Sequence, residues 1–204
     1  QRQLFMVSEG YDNWLLHKYT TDQIIIKETD VVVDCGAFVG GFTIAAAKAG
    51  AAKIYSIEPS SKNYKTLHAN LAHYGVEDKA ETKNIGLGEE PGELQLNLSK
   101  SGCDDSFLEP DEGDLGQSET VEIKTLSDFI QEEGIDPDNL YLKVEAEGFE
   151  PEIVYGLKDC RPRVIVVDIT PERDGRSPKD EIRGHLEGLG YRVSLTKRCL
   201  FAEK

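Results

Sequence analysis

The sequence predicts an α/β fold with a mainly parallel sheet and an antiparallel C-terminal edge. Three observations lead there. Apolar runs that read as buried strands alternate with helical patterns along most of the chain. The first run, residues 31–34 (VVVD), ends on a carboxylate and runs straight into a glycine turn and a small-residue helix. The last two runs, 191–195 and 199–202, are too close together for a helical crossover, so they must pair as a hairpin.

The 204 residues fit one folding unit with a sizeable core. Hydrophobic residues at 39% and charged residues at 30% describe an ordinary globular composition, with no run long enough to span a membrane as a helix. The formal charge of −15 disfavours broad polyanion binding, which relies on Lys and Arg, and so disfavours nucleic acid as a partner. Cys35, Cys103, Cys160 and Cys199 form no C-x-x-C pair and have no paired His spacing, so neither a disulfide framework nor a metal site is expected. Cys35 reads as a packing residue. No charged-then-apolar leader opens the chain, and the free-thiol reading places it in the cytoplasm. Beginning at Gln1 rather than Met, it is expected to lack some N-terminal sequence.

Taken in order, residues 1–30 are expected to be an extension on the domain formed by 31–204. A helix over 11–19 brings Trp14, Leu15 and Lys18 near one face, and a short strand follows at 24–26. After the strand at 31–34 and a helix over 42–49, a second strand at 53–57 ends on Glu58. Ser60 or Ser61 then caps a helix to about Tyr74, with Tyr64, Leu67, Leu71 and Tyr74 at helical spacing and Gly75 as its stop. A strand over 81–85 follows. Residues 93–98 alternate as a half-buried strand, 99–118 read as a long polar loop, and 120–124 alternate again. Ser106 and Phe107 in that loop are candidate substrate contacts. Thr125 to Asp128 fits a capping box opening a helix to about Glu133. Then come a strand at 139–144, a helix from about Phe149 to Gly156, a strand at 163–169 and an amphipathic helix over 178–189.

The segment from Val31 to Glu58 has the layout of a nucleotide-cofactor half-site: strand, glycine turn, helix, strand ending in an acid. Its G-A-F-V-G-G lacks the dinucleotide spacing, and it has no lysine of the triphosphate-binding loop. An acid at the end of the first strand, Asp34, suits a ligand with positive charge near the turn. S-adenosylmethionine carries such charge as a sulfonium and an ammonium. A plain βαβ unit with Asp34 capping its turn is the competing reading. Asn84, at a strand end, falls where the adenine edge would lie, and is equally an ordinary turn residue.

The other dense segment is 142–150, LKVEAEGFE, with a lysine and three carboxylates where a strand leaves the sheet. Methyl transfer to a hydroxyl needs a base for the departing proton, and Glu145 and Glu147 are the candidates. Alternatively, Glu147 and Glu150 only serve the start of the next helix, where negative charge is favoured.

DCGAFVGGFT at 34–43, SIEPSSKNYKTLHAN at 56–70 and LKVEAEGFEPEIVYG at 142–156, in that order, resemble the FkbM family of methyltransferases. The resemblance implies a Rossmann-like sheet of seven strands with helices on both faces. It also implies S-adenosylmethionine as cofactor and a sugar, glycan or other small-molecule hydroxyl as acceptor. It implies that Asp34, Gly36, Ala37 and Gly40 line the methionine side, with Phe38 in the same cofactor-binding turn. Glu58 would bind the ribose, and Asn63 would shape the cofactor loop. Glu147, Gly148 and Glu150 match the family's Glu-Gly-x-Glu, whereas Glu145 stands where the family typically has Asp. Two other functions compete. Residues 42–60 also resemble the cofactor half of tRNA base methyltransferases, although the chain has no basic patch and no Asn-Pro-Pro-Tyr-type motif. The Glu145 departure also fits a non-catalytic cofactor-binding module.

Overall fold

In the computed structural model, which describes residues 7–8, 10–110, 113–173 and 175–204, the β-branched runs form the centre of a sheet. The chain runs α1 (Tyr11–Tyr19), β1 (Val31–Cys35), α2 (Gly41–Lys48), β2 (Lys53–Ile57), α3 (Ser61–Tyr74), β3 (Ala80–Lys83), β4 (Gly86–Gly88) and β5 (Gly92–Ser99). It continues through β6 (Asp114–Thr125), α4 (Leu126–Glu132), β7 (Leu140–Val144), α5 (Glu150–Tyr155), β8 (Val164–Asp168), α6 (Lys179–Gly188), β9 (Arg192–Leu195) and β10 (Cys199–Glu203).

Seven strands make the main sheet, in the order β3-β2-β1-β7-β8-β10-β9. Pairings from β3 through to β8 are parallel, and β10 runs antiparallel to both its neighbours. The chain works outward from β1 to β3 and re-enters beside β1 as β7. Strand order therefore reverses between β1 and β7, where a doubly wound sheet opens its ligand crevice. There Asp34 lies directly opposite Lys143, and Cys35 opposite Val144.

Period two divides the strands between two layers. Val33, Cys35, Leu142, Val144, Ile165 and Val167 pack with residues of α4, α5 and α6. Val32, Ile54, Tyr141, Val166 and Phe201 face Leu15 and Tyr19 of α1 and Phe42, Ala45 and Ala46 of α2. Helices thus cover both faces, as the resemblance implies.

Two expectations are corrected. Residues 24–26 form no strand: Ile24 and Ile26 are buried in the α1–α2 layer, but the backbone around them is irregular. Their apolar spacing reflects packing rather than pairing. The polar stretch expected as loop to 118 instead contributes the first half of β6, which pairs antiparallel with β5 from Asp114 onward. That half is mostly solvent-exposed, so it carries no apolar alternation to betray a strand. With β4 it builds a second sheet, β4-β6-β5, beside the crevice.

The expected cap at Thr125 is present: its buried hydroxyl accepts the Asp128 amide at 3.0 Å. Ser60 stands at the N-cap of α3 without capping it; its hydroxyl donates to Asp105 instead, at 2.9 Å. Replacing Thr125 with Ala is expected to cost about 1 kcal/mol of unfolding free energy in a urea titration, as for other caps.

Candidate active site

A cavity of about 240 Å³ opens at the carboxyl ends of β1, β2 and β7. Its walls come from the turn after β1 (Cys35, Gly36, Phe38), the end of β2 (Ile57, Glu58), the turn after β7 (Glu145 to Glu147), and Asn63 of α3. The 99–110 loop roofs it with Cys103, Asp105, Ser106 and Phe107. That roof is tied down at both sides: the Asn63 amide donates to the Gly102 carbonyl at 2.9 Å, and the Ser106 hydroxyl to the Glu147 carbonyl at 2.8 Å.

The turn after β1 requires glycine at position 36. Its φ is +72°, and a Cβ there would lie 1.7 Å from the Glu145 carbonyl oxygen. The β1 and β7 turns therefore touch backbone to backbone. The Gly36 and Ala37 amides both donate to the Ile57 carbonyl, binding the turn to β2 as well.

Glu58 closes that turn from the other side. Its two oxygens accept the Phe38 amide at 2.8 Å and the Ser60 amide at 2.9 Å. Burial nevertheless pushes its pKa up to about 8, because two neutral donors do not offset the lost hydration and Asp105 adds repulsion.

Behind the cavity wall runs a chain of charges. The Lys143 ammonium, 2% exposed, lies 3.0 Å from Asp34 Oδ1, 2.8 Å from the Gly36 carbonyl and 3.5 Å from Glu145 Oε2. Lys18, reaching in from α1, sits 2.6 Å from both Glu145 Oε1 and Asp168 Oδ2. The two ammonium groups lie 4.7 and 5.4 Å from the buried Tyr19 ring. Asp168 also accepts the Thr170 amide at 2.8 Å, and the Thr170 hydroxyl reaches Glu172 at 2.7 Å.

These surroundings split the two candidate bases. Burial works to raise the Glu145 pKa, but Lys143 and Lys18 win and hold it at about 2, so it is a fixed anion. Among the described residues Glu147 has no such partner. Burial and the neighbouring carboxyls of Glu172, Glu145, Asp104 and Glu150 drive its pKa up to about 10. Glu172 is pushed up to about 7, first by burial. Glu150 is structural: its carboxyl accepts the Ala146 amide at 2.6 Å within its own turn.

Of the cofactor residues expected from sequence, Gly36, Phe38, Glu58 and Asn63 line the cavity, and so do Glu145 and Glu147. Asp34, Ala37, Gly40 and Asn84 are not among its lining residues. Asp34 alternates to the α2 side of β1, where it is fully buried and accepts the Thr43 hydroxyl at 2.7 Å. Gly40, with φ of +92°, is the N-cap of α2 and packs on Leu67. Asn84 is exposed, its amide donating to the Glu58 and Pro59 carbonyls, while its neighbour Ile85 lines the cavity. Sequence reasoning assigned no role to Lys143, Lys18 or Glu172. A lysine inside the apolar run LYLKV was a usable signal, since a buried ammonium demands anions nearby.

The raised carboxyls set a pH dependence. Each native pKa above the unfolded value means the folded state holds the proton more tightly, so the stability is present in mild acid and lost as pH rises through the native pKa. Unfolding free energy is expected to fall by on the order of 2 kcal/mol between pH 5 and pH 8.5. Glu58→Gln should shrink that fall, read by urea titration across the range.

Residues 34–193 match the methyltransferase FkbM domain. Among solved structures, the chain is similar to a precorrin-6y C5,15-methyltransferase from Geobacter metallireducens. The two share 15% identity and a TM-score of 0.53, over 100% of this chain and 93% of that one. An O-methyltransferase from Thermotoga maritima aligns at 13% identity and TM-score 0.53, over 98% and 66% of the two chains. One from Bacillus cereus, solved in complex with SAH, aligns at 14% and 0.50, over 97% and 82%. No curated protein matches in sequence. At these identities the structural matches establish the fold, and the domain match establishes the family: the chain belongs to the FkbM methyltransferases and is an S-adenosylmethionine-dependent methyltransferase.

Proposed function

We propose that the protein transfers a methyl group to a hydroxyl oxygen of an uncharged acceptor, a sugar, glycan or similar small metabolite. The observation that carries this reading is the charge of the cavity. Glu58, Asp105, Glu145 and Glu147 line it, and its described lining includes no lysine, arginine or histidine. Such a wall favours a cationic cofactor and repels a phosphorylated or carboxylated acceptor. At the mouth, Tyr11 stacks on Trp14 with ring centroids 5.6 Å apart, and both rings are exposed. An aromatic surface of this kind suits the C–H face of a sugar ring.

The residues present fit S-adenosylmethionine, which supplies an electrophilic methyl group on a sulfonium. Each Glu58 oxygen spends one lone pair on a backbone amide and keeps another for a ribose hydroxyl. Ile57, Ile85, Leu87 and Phe107 offer an apolar wall for the base. Glu145, held ionised by two lysines, would offer a fixed negative charge to a cationic cofactor. Asp34, Ala37 and Gly40 act through the turn that they build.

Glu147 is the proton acceptor in this scheme. A positive charge in the cavity stabilises its ionised form, drawing its pKa down from about 10 toward the working range. With S-adenosylmethionine supplying the methyl group, Glu147 would take up the proton that the acceptor hydroxyl loses. Ser106, bonded to the Glu147 carbonyl, fixes the backbone that carries this carboxylate. Most of the acceleration then comes from holding the acceptor in line.

The test is calorimetric titration with S-adenosylmethionine and its demethylated product, with NAD as control, followed by labelled-methyl transfer to sugars, glycans, amines and tRNA. Saturable cofactor binding with transfer to a neutral hydroxyl is the expected result. Transfer only to amines or to tRNA would overturn the acceptor assignment, and binding without any transfer would favour a non-catalytic module. Glu147→Gln should lower turnover by about 10²–10⁴-fold, the usual contribution of a general base, with cofactor affinity changed by only about threefold.

A further inference from the structure

Lys18 lies on α1, ahead of the 34–193 segment that matches the family, yet it makes the shortest ionic contacts at the cavity wall. Its side chain is only 11% exposed. The helix bearing it is firmly docked. The buried Tyr19 offers its carbonyl to the Tyr141 hydroxyl, Leu15 packs against Gly41, and Asp12 pairs with Lys48 at 2.6 Å. The ammonium is therefore placed by α1 rather than by a free-swinging stem.

Lys143 does not orient Glu145 alone. Its closest partners are the Gly36 carbonyl at 2.8 Å and Asp34 at 3.0 Å, with the Cys35 carbonyl at 3.3 Å and Glu145 farthest at 3.5 Å. An ammonium has three protons, and nearer acceptors take them. The short 2.6 Å contact to Glu145 comes from Lys18, which is braced at the same distance by Asp168 at the end of β8.

We propose that Lys18 is a positioning residue: by bridging Asp168 and Glu145, it holds the Glu145 carboxylate in the wall of the methyl-transfer cavity. This rests on the reading that the cavity binds S-adenosylmethionine. Helix α1 then completes a site whose walls come from the ends of β1, β2 and β7 and from α3, with Asp168 of β8 behind them.

The charged and titratable groups around Glu145 define what its loss would do. Tyr11, Lys18 and Tyr19 face it from α1, Lys143 from β7, Glu147 from the turn, and Asp168 and Glu172 from the end of β8 and beyond. Without Lys18, burial and the three neighbouring carboxyls oppose Lys143 alone, at 3.5 Å. Glu145 then becomes able to take up a proton in mildly acidic solution, which it does not do beside both lysines.

The experiment is calorimetric measurement of S-adenosylmethionine affinity at pH 5.5 and pH 7.5 for the unmodified protein, Lys18→Met and Lys18→Arg. Lys18→Met should lose roughly tenfold more affinity at pH 5.5 than at pH 7.5, relative to the unmodified protein, as one carboxylate charge is neutralised. Lys18→Arg should restore most of it. An equal loss at both pH values that Arg does not rescue, or no loss at all, would overturn the proposal and leave Lys18 a structural lysine. Should Lys18→Met fail to fold with Asp168 left unpaired, Lys18→Met/Asp168→Asn removes that charge and gives the same comparison. Failure of the unmodified protein to bind the cofactor would instead overturn the reading of the cavity.

Discussion

A buried ammonium has to be neutralised where it stands, and Lys143 stands at the junction of β1 and β7. The β1–β7 register sets Asp34 directly opposite it, and the glycine turn lends it the Gly36 carbonyl. Because Gly36 has no Cβ, the two strand ends can approach closely enough for one ammonium to bind both. The same group faces Glu145 on the cavity side. The crevice at the strand-order reversal is thus held open by topology and held in shape by one cation.

From that point outward the charges do not balance. Asp34, Glu145 and Asp168 set three carboxylates against the ammonium groups of Lys143 and Lys18, which leaves one negative charge in excess. Glu58, Glu147, Glu150 and Glu172 lie around them with no cation in contact among the described residues, and each is driven toward its protonated form. An enclosure with surplus carboxyls is poised for a cationic ligand and unfavourable without one. On the reading proposed above, this charge would favour a sulfonium, while the apolar walls and the exposed Tyr11 and Trp14 rings would shape what else enters.

Much of this was legible in the residues, and the limits have physical causes. The apolar run ending at Asp34, the glycine turn and the terminal Glu58 were local signals, so the strand–turn–helix–strand unit could be read directly, whereas its place beside β7 could not. Thr125 announced its helix for the same reason. The role of Asp34 was not local. It depends on which face of β1 it occupies and on Lys143, a residue 109 positions away that becomes its neighbour only through β1–β7 pairing. Lys18 and Glu145 are 127 positions apart and meet only once α1 is docked. The second sheet escaped notice because β4 is three residues long and the first half of β6 is exposed on both sides, Leu115 included, so no apolar alternation marks it. The split between Glu145 and Glu147, neighbours in sequence with opposite electrostatics, follows from partners that no short motif records.

The most direct measurement is the proton balance of cofactor binding. Calorimetry at pH 7.5 in buffers of different ionisation enthalpy would compare S-adenosylmethionine with its uncharged-sulfur product. A cavity with surplus protonated carboxyls should release about one more proton on binding the sulfonium than on binding the product, because a nearby positive charge favours ionisation. Equal proton release by the two ligands would contradict the account. It would mean that the carboxyls around Glu147 do not sense the charge that the site is built to hold.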